Sequence, residues 1–586
     1  MTHSYKDGKI IVDAKYHEKV PYEISNELIG VTADGLGGLA SYRIANKSED
    51  CIRTFFSLSL ALDGVPFDPY CDKRVSMIGR TETVTLSEGE RTLSIRLFLA
   101  KEVNGVFYEI TAAKGEEISL VLNCRSAKCD DRLGTTFVQG MNFALSCDKA
   151  GDWLRENDAF YVSGKGSIRF LFTFGGDTEA HKEAFYLYSK HDRETRAKTE
   201  GIRIPASAVT EEERALYTAA YFTSLENHKS VGDFRAFAAG CAYLDPLRTY
   251  FRDSYFTMLP CYEDHPAYVR EEIITLAKGI AEDGSCPSAV KSDYTAFWGD
   301  HYDSPSFFVM AIYDYVTHTG DRSVLEEVIH GKTLLETLGV VLDKLTERAD
   351  ETGLLYKEGS FNKRDWADEV NRNGYVTYVE ALYARALRSA SRLFRESDPR
   401  RAEGYAALYE KVKDAINTLL FDEELGYYVN YKSSDHTEKN LSVDTVFTVL
   451  FGIADENWAR SVLRAMERLL ETRHNHEQKG GDFGVMCVYP LYGERTATAH
   501  KSMRPYDYHN GANWCYLTAM YAYAQYLYGG DWRYPLLSCF DYNVARGHYT
   551  LVEYFSPCAE TGGPLQGWSG DLAFVYDQIG KENFFQ

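Results

Sequence analysis

No stretch of this chain approaches the roughly 18 uncharged apolar residues that a membrane-spanning helix needs. Its opening, MTHSYKDGKIIVDAKYHEK, lacks an apolar core of signal-peptide length. A soluble, cytoplasmic protein is therefore expected. The twelve cysteines are scattered and form no C-x-x-C. With no export signal, free buried thiols are expected rather than a disulfide framework or a zinc site. Positive charge is scarce, 64 Lys and Arg against 86 Asp and Glu for a net charge of -22, so a phosphate backbone or an anionic membrane surface is disfavoured as a partner. Neutral polyols remain compatible. A repeat of roughly 34 to 45 residues, the mark of a helical solenoid, is missing too.

What is abundant is aromatic surface: 43 Tyr, 31 Phe and 7 Trp make 14% of the chain. Most of these rings serve to pack helices, but such a supply also suits walls against which sugar rings stack. At 586 residues the chain exceeds what one core holds, so two domains are expected.

From about residue 9 to residue 174 the pattern alternates with period two and breaks at glycines. TLSIRLFLA (92–100) and VFYEITA (106–112) read as a hairpin joined at Asn104-Gly105. Strands follow at 118–123, 160–164 and 167–174. The fold expected for 1–176 is an antiparallel β-sandwich. Residues 177–209 read as a charged helical linker. Twelve helical segments then succeed one another: 211–227, 253–263, 267–283, 304–319, 322–348, 375–395, 399–420, 442–453, 456–473, 511–527, 531–546 and 567–579. Some carry a charged face, as 322–348 and 399–420 do; others, as 304–315 and 511–524, are almost uncharged all round, as buried helices are. Buried and amphipathic helices in alternation predict an (α/α)6 toroid over 210–586, with its site among the loops at one mouth.

Chemistry-bearing residues collect at the starts of the uncharged segments. RDWADE carries Asp365 and Asp368 around Trp366, read as the start of a helix, with capping as the plain alternative. Glu553 is a lone acid between Val552 and Tyr554, costly to bury without a task. Arg252-Asp253 opens a helix, where Asp253 either caps it or chelates two sugar hydroxyls. In Trp298-Gly299-Asp300-His301-Tyr302-Asp303-Ser304 the aromatics suit a pocket lining, and Asp303 or Ser304 suits a cap equally well. Tyr508-His509-Asn510-Gly511, with Trp514 behind it, packs donors, acceptors and rings into the entrance of an inner helix. His474 and His476 lie in a polar loop and read as solvated. Breaking a glycosidic bond by inversion requires one carboxylic acid to protonate the leaving oxygen and one carboxylate to activate water on the opposite face. Asp368 and Glu553 are the candidates.

In motif order the chain resembles the (α/α)6-barrel glycosidases: alkaline/neutral invertases, amylo-α-1,6-glucosidases of glycogen-debranching enzymes, and the processing α-glucosidase I group. The resemblance runs from Thr210 onward. It rests on Arg252-Asp253, on Asp368 followed by Gly374 and Ala381-Leu382, on Tyr508-His509-Asn510-Gly511 with Trp514, and on Glu553-Tyr554 with Thr561-Gly562 and Trp568-Ser569. These families carry a Glu shortly after the Gly that follows the acid; here Tyr378 stands there, with Glu380 two residues on. The resemblance implies an inverting, exo-acting glycoside hydrolase for a short oligosaccharide or glycoside, such as an α-glucoside. Asp368 would be the general acid and Glu553 the base. Arg252, Asp253, Trp298, Asp303, Asp365, Trp366, Tyr508, His509, Trp514 and Trp568 would hold the sugar. No metal or organic cofactor is implied. The alternatives are a polysaccharide lyase working through Tyr508 and His509 on a uronic acid, a glycoside phosphorylase, and a sugar-binding protein without turnover.

Overall fold

The computed structural model describes residues 1–51, 56–99, 104–124, 128–130, 136–139, 143–149, 151–154, 159–174, 181–186, 201–359 and 363–586. It divides into two compact units. The first takes Met1–Asp233 with Gly240–Leu247 and Asn543–Leu551; the second takes Phe234–Ala239, Arg248–Tyr542 and Val552–Gln586.

The first unit holds two large antiparallel sheets, one of ten strands and one of nine. Alternation along each strand buries one face. In Arg91–Phe98 the residues Leu93, Ile95 and Leu97 are buried while Ser94 and Arg96 are not. Val12, Ile110, Ile118, Leu122, Phe170 and Phe172 are wholly enclosed. Arg91–Phe98 pairs with Gly105–Ala112 as expected, but with Phe98 opposite Phe107. Gly105 already sits in its strand, opposite Thr173. Asn104-Gly105 is therefore not the two-residue turn, and most of the connection, 100–103, lies outside the described residues, as does most of the linker read at 177–209. Ala159–Lys165 and Ser167–Phe174 are joined through Gly166 at φ +74° yet belong to different sheets. Only glycine adopts that corner without strain. Glu211–Leu225, opened by a capping box of Thr210 and Glu213, also groups with this unit.

In the second unit, six buried segments pack neighbour to neighbour in a closed cycle. Phe251–Met258 meets Ser304–Thr319, which meets Thr377–Phe394. That helix meets Val443–Val446 and Phe447–Leu450, which meet Cys515–Leu527, which meets Gly567–Gly570 and Asp571–Gln578. Gly567–Gly570 returns to Phe251–Met258. All eight residues of Phe251–Met258 are buried, whereas Pro399–Leu419 buries only Ala402, Tyr405, Tyr409, Val412 and Ile416 along one stripe. The inner helices lack side-chain caps: Tyr250, Val376 and Trp514 enter them from extended backbone in short β-bridges. Several outer ones are capped, as by Thr333 with Glu336 and by Asp398, though Pro266–Lys278 starts on Pro without a side-chain cap.

Each expected helical segment contains helix, with three differences that matter. Residues 322–348 are not one helix: the 3-10 turn Arg322–Glu326 and a small hairpin precede Leu334–Thr346. His330 and Gly331, both at positive φ, make the hairpin's tight turn. Gly511–Trp514 stays outside the helix Cys515–Leu527 because Asn513–Trp514 pairs with Tyr554–Phe555. Asp365, Trp366 and Asp368 lie in a stretch of bends and turns, well before the helix that begins at Thr377, so neither carboxylate is a cap.

Candidate active site

Arg252 and Asp253 ride on the first turn of Phe251–Met258 and are buried. Arg252 Nη1 donates to Asp303 Oδ2 at 2.9 Å. Asp303 Oδ1 lies 3.1 Å from His301 Nδ1, and Tyr378 OH donates to Oδ2 at 3.3 Å. Asp303 stands at the N-cap position of Ser304–Thr319 but makes no capping bond. Burial pushes its carboxyl up; Arg252 and His301 outweigh that and hold it below the usual carboxylate range. Asp253 behaves oppositely. Burial, with Asp303 adding and Arg252 opposing, pushes it up to about 6. Among the described residues its Oδ2 accepts no hydrogen bond, and Arg252 Nε is 3.7 Å away. The capping expected of Asp253 and Asp303 is thus replaced by a charge cluster, and Tyr378 is part of it. Glu380, the other residue at the family's variable position, faces away and accepts from the backbone N–H of Leu355 at 3.1 Å.

Two carboxylates three residues apart end in opposite states. Asp365 is wholly enclosed: Arg372 Nη2 donates to Oδ1 at 2.5 Å, Lys357 Nζ holds Oδ2, and the N–H of Ala367 donates to Oδ1 at 2.9 Å. These cations hold it far below the carboxylate range against the burial that opposes them. Expected among the sugar contacts, Asp365 instead spends both oxygens on protein. Asp368 keeps about a third of its side chain exposed, and among the described residues no group donates a hydrogen bond to it. Burial, with Glu369, Asp365 and Asp253 adding and Arg252 opposing, pushes it up to about 7. His509 Nε2 lies 4.0 Å from its Oδ1. That histidine is no counter-ion: burial holds it well below 6.5, and among the described residues neither ring nitrogen has a hydrogen-bond partner.

An aromatic wall continues from there. Trp366 meets His509 edge-on at 5.0 Å; His509 stacks on Trp514 at 4.9 Å, and Trp514 on Tyr554 at 5.2 Å. Tyr508, at φ +47°, lies 4.9 Å from Tyr554, and its carbonyl accepts from Trp514 Nε1 at 3.0 Å. Trp568 is 5.7 Å from Trp514, and its Nε1 has no hydrogen-bond partner among the described residues. Glu553 precedes Tyr554 directly, so the Trp514–Tyr554 bridge brings it to this wall. Burial and Asp253 push Glu553 up to about 7, with Asp368 adding and Lys501 and the local backbone opposing. Among the described residues no side chain donates to its carboxyl. Gly562 is needed beside it, because a Cβ there would fall 2.5 Å from Glu553 Cβ. Trp298, in the middle of the strand Ala296–Asp300 and 55% exposed, touches only the edge of this assembly, 6.3 Å from Tyr250.

Sequence reasoning passed over Lys357, Arg372, Asp444, Tyr516 and Lys501. Trp366 Nε1 donates to Asp444, Tyr516 stacks on Trp568 at 4.6 Å, and Lys501 Nζ donates to Tyr554 OH at 3.0 Å. Asp444 did leave a signal, a single acid in the apolar run SVDTVF, the same signal that marked Glu553. Lys501, in a polar loop, left none.

Residues 267–546 match the family model described as amylo-alpha-1,6-glucosidase. No curated protein matches the sequence. Among solved structures, a bacterial glucoamylase complexed with acarbose superposes with a TM-score of 0.63 at 12% identity, covering 98% of this chain and 98% of that one. A rhamnosidase from Klebsiella oxytoca with rhamnose bound gives 0.48 at 13% identity, over 97% and 100%. The first of these likenesses shows a glucoamylase-like (α/α)6 fold.

Proposed function

We propose that this chain, whose residues 267–546 match the amylo-alpha-1,6-glucosidase family model, is an inverting, exo-acting glycoside hydrolase for a short oligosaccharide or glycoside such as an α-glucoside. The six-segment cycle is read as the inner ring of its toroid, with the site at the mouth where the inner helices begin. The observation that carries this reading is the state of Asp368 and Glu553: two largely buried carboxyls, each pushed up to about 7, bordering one wall of rings and, among the described residues, free of hydrogen-bonding cations.

A general acid must still hold its proton near neutrality. Asp368 does so because burial penalises its charge and the neutral His509 does not compensate it. Glu553 is the base: Lys501 favours its ionised form, and water between it and the sugar would attack the face opposite Asp368. Asp253, with an unfilled acceptor, and Arg252 would hold adjacent hydroxyls of the sugar. Trp366, Tyr508, His509, Trp514 and Trp568 would pack its ring faces, while Trp298 and Asp303 would border the entry. Asp365 acts from behind, by shaping the loop that carries Asp368. The bacterial glucoamylase of like fold is complexed with acarbose, in keeping with an oligosaccharide substrate here.

Asp368→Asn and Glu553→Gln should each lower turnover by roughly 100- to 10,000-fold with the circular dichroism spectrum unchanged. Proton NMR of the first-formed sugar should show the anomer inverted relative to the substrate. Retained configuration, or near-normal turnover in either variant, would sink the assignment. A rate that rises with added phosphate would replace hydrolysis by phosphorolysis.

A further inference from the structure

The loop that carries Asp368 has almost no regular structure of its own: residues 363–370 run through bends and turns, held from outside by the isolated bridge of Val370 to Ala497, by the Arg364 carbonyl accepting from the N–H of Tyr302 at 3.0 Å, and by Glu369 Oε2 accepting from the N–H of Ser502 at 3.1 Å. Among the described residues Asp368 has no side-chain hydrogen bond either. Where its carboxyl stands is therefore decided by its neighbours in the chain, and those neighbours are anchored. Trp366 Nε1 donates to Asp444 Oδ2 at 2.6 Å, and Arg372 Nη1 donates to the same oxygen at 2.7 Å. Arg372 Nη2 donates to Asp365 Oδ1 at 2.5 Å, and Lys357 takes the other Asp365 oxygen. None of these five side chains belonging to Lys357, Asp365, Trp366, Arg372 and Asp444 is more than 3% exposed. Two acids and two cations balance, and three separate stretches of chain supply them.

We infer that Asp444 is a positioning residue for the reaction: by holding the indole of Trp366 and the guanidinium of Arg372 on one oxygen, it sets where the Asp368 carboxyl meets the leaving group. The inference rests on the reading of Asp368 as the general acid. Asp444 comes from Val443–Val446, an inner segment of the cycle, so it ties a loop without regular structure to the rigid ring. Its ionised oxygen can serve two donors at once; an amide in its place offers a weaker acceptor and leaves the buried cluster with one excess positive charge. A displacement near 1 Å at a reacting group is enough to cost about 100-fold in rate.

A structural role alone would lower all activities together; a positioning role has a different signature. Protonation matters for a poor leaving group and little for a good one. The test compares Asp444→Asn and Trp366→Phe with the unaltered protein on two aryl α-glucosides, methoxyphenyl and dinitrophenyl. In both variants the ratio of methoxyphenyl to dinitrophenyl kcat/KM should fall at least about tenfold. Equal losses on both substrates, or none, would overturn the inference. Trp366→Phe removes the N–H and leaves all four buried charges in place, so it carries the test if Asp444→Asn fails to fold. Asp368→Asn serves as the control: if it shows no such selectivity, the acid assignment fails. In that event fluorotryptophan labelling decides for Asp444 separately. Of the seven Trp resonances, the one lost in Trp366→Phe should shift in Asp444→Asn, and an unmoved resonance would overturn the anchoring.

Discussion

Asp368 is held at a cost to the folded state. Burial raises its proton affinity to about 7, well above the range of an unfolded aspartate. The folded chain therefore binds that proton more tightly than the unfolded chain between the two values. The associated stability is fully present below the unfolded value near pH 4, and is lost as pH rises through about 7. An asparagine at 368 has no charge to bury. Asp368→Asn should match the parent near pH 4 and exceed it above about pH 8 by roughly 1 to 2 kcal/mol, a figure discounted for the exposed part of the side chain. Urea melts at the two pH values measure this, and a pH-independent difference would count against a buried, protonated Asp368. Asp365, three residues earlier, is the opposite case, since Arg372 and Lys357 keep it ionised. Both acids stood out in RDWADE, but residue type alone cannot tell a sealed ion pair from a free acid.

At the scale of elements, most local signals were readable because they depend on near neighbours. The period-two strands and the Ser304–Thr319 helix with Pro at its first turn follow directly from spacing, whereas the capping box at Thr333 that starts Leu334–Thr346 was passed over for one helix across 322–348. The misreadings arose where local propensity met a tertiary partner. RDWADE resembles a helix start, yet its side chains bond to Arg372, Lys357 and Asp444 and hold the backbone in turns. Gly374 marks how tightly this region is built. It adopts φ +84°, and a Cβ there would come within 2.2 Å of the Lys432 carbonyl oxygen. Gly374→Ala should lose about 1 to 3 kcal/mol in urea unfolding, from strain and collision together. A neutral substitution would mean the segment before Thr377 can relax away from Lys432.

Over the whole second unit, the cycle of inner helices is tied at one end by residues 583–586. The Phe585 carbonyl accepts from Arg385 Nε at 3.3 Å and from Arg388 Nη2 at 3.0 Å. Phe584 stacks on His318 at 3.8 Å and donates its N–H to Tyr523 OH at 2.9 Å, while Asn583 Nδ2 reaches the Leu450 carbonyl at 3.0 Å. Beneath them Arg385 makes a two-pronged, fully buried bond to Asp314, at 2.6 and 3.1 Å. Arg385→Met strands that carboxylate and should cost about 3 to 5 kcal/mol. Adding Asp314→Leu should recover most of the loss, because the penalty lies in the unpaired charge rather than in the missing attraction. A double variant as unstable as the single one would show instead that Arg385's bonds to the Phe585 carbonyl and, from Nη1, to Tyr255 OH at 2.9 Å carry the stability.

The amino-acid sequence by itself determined the order of a strand-rich part followed by alternating helices, and it marked the stretches where chemistry gathers. Both are written in spacings of a few residues, which backbone geometry converts directly into strands, helices and exposed or buried faces. Only the tertiary structure decided which of those acids stays free, which is locked between cations, and that Asp444 stands behind Trp366. Asp444 reaches Trp366 across 78 positions, and even the cations on Asp365, seven and eight positions off, meet it only because the chain folds back on itself; no local pattern encodes the electrostatic environment that such packing creates.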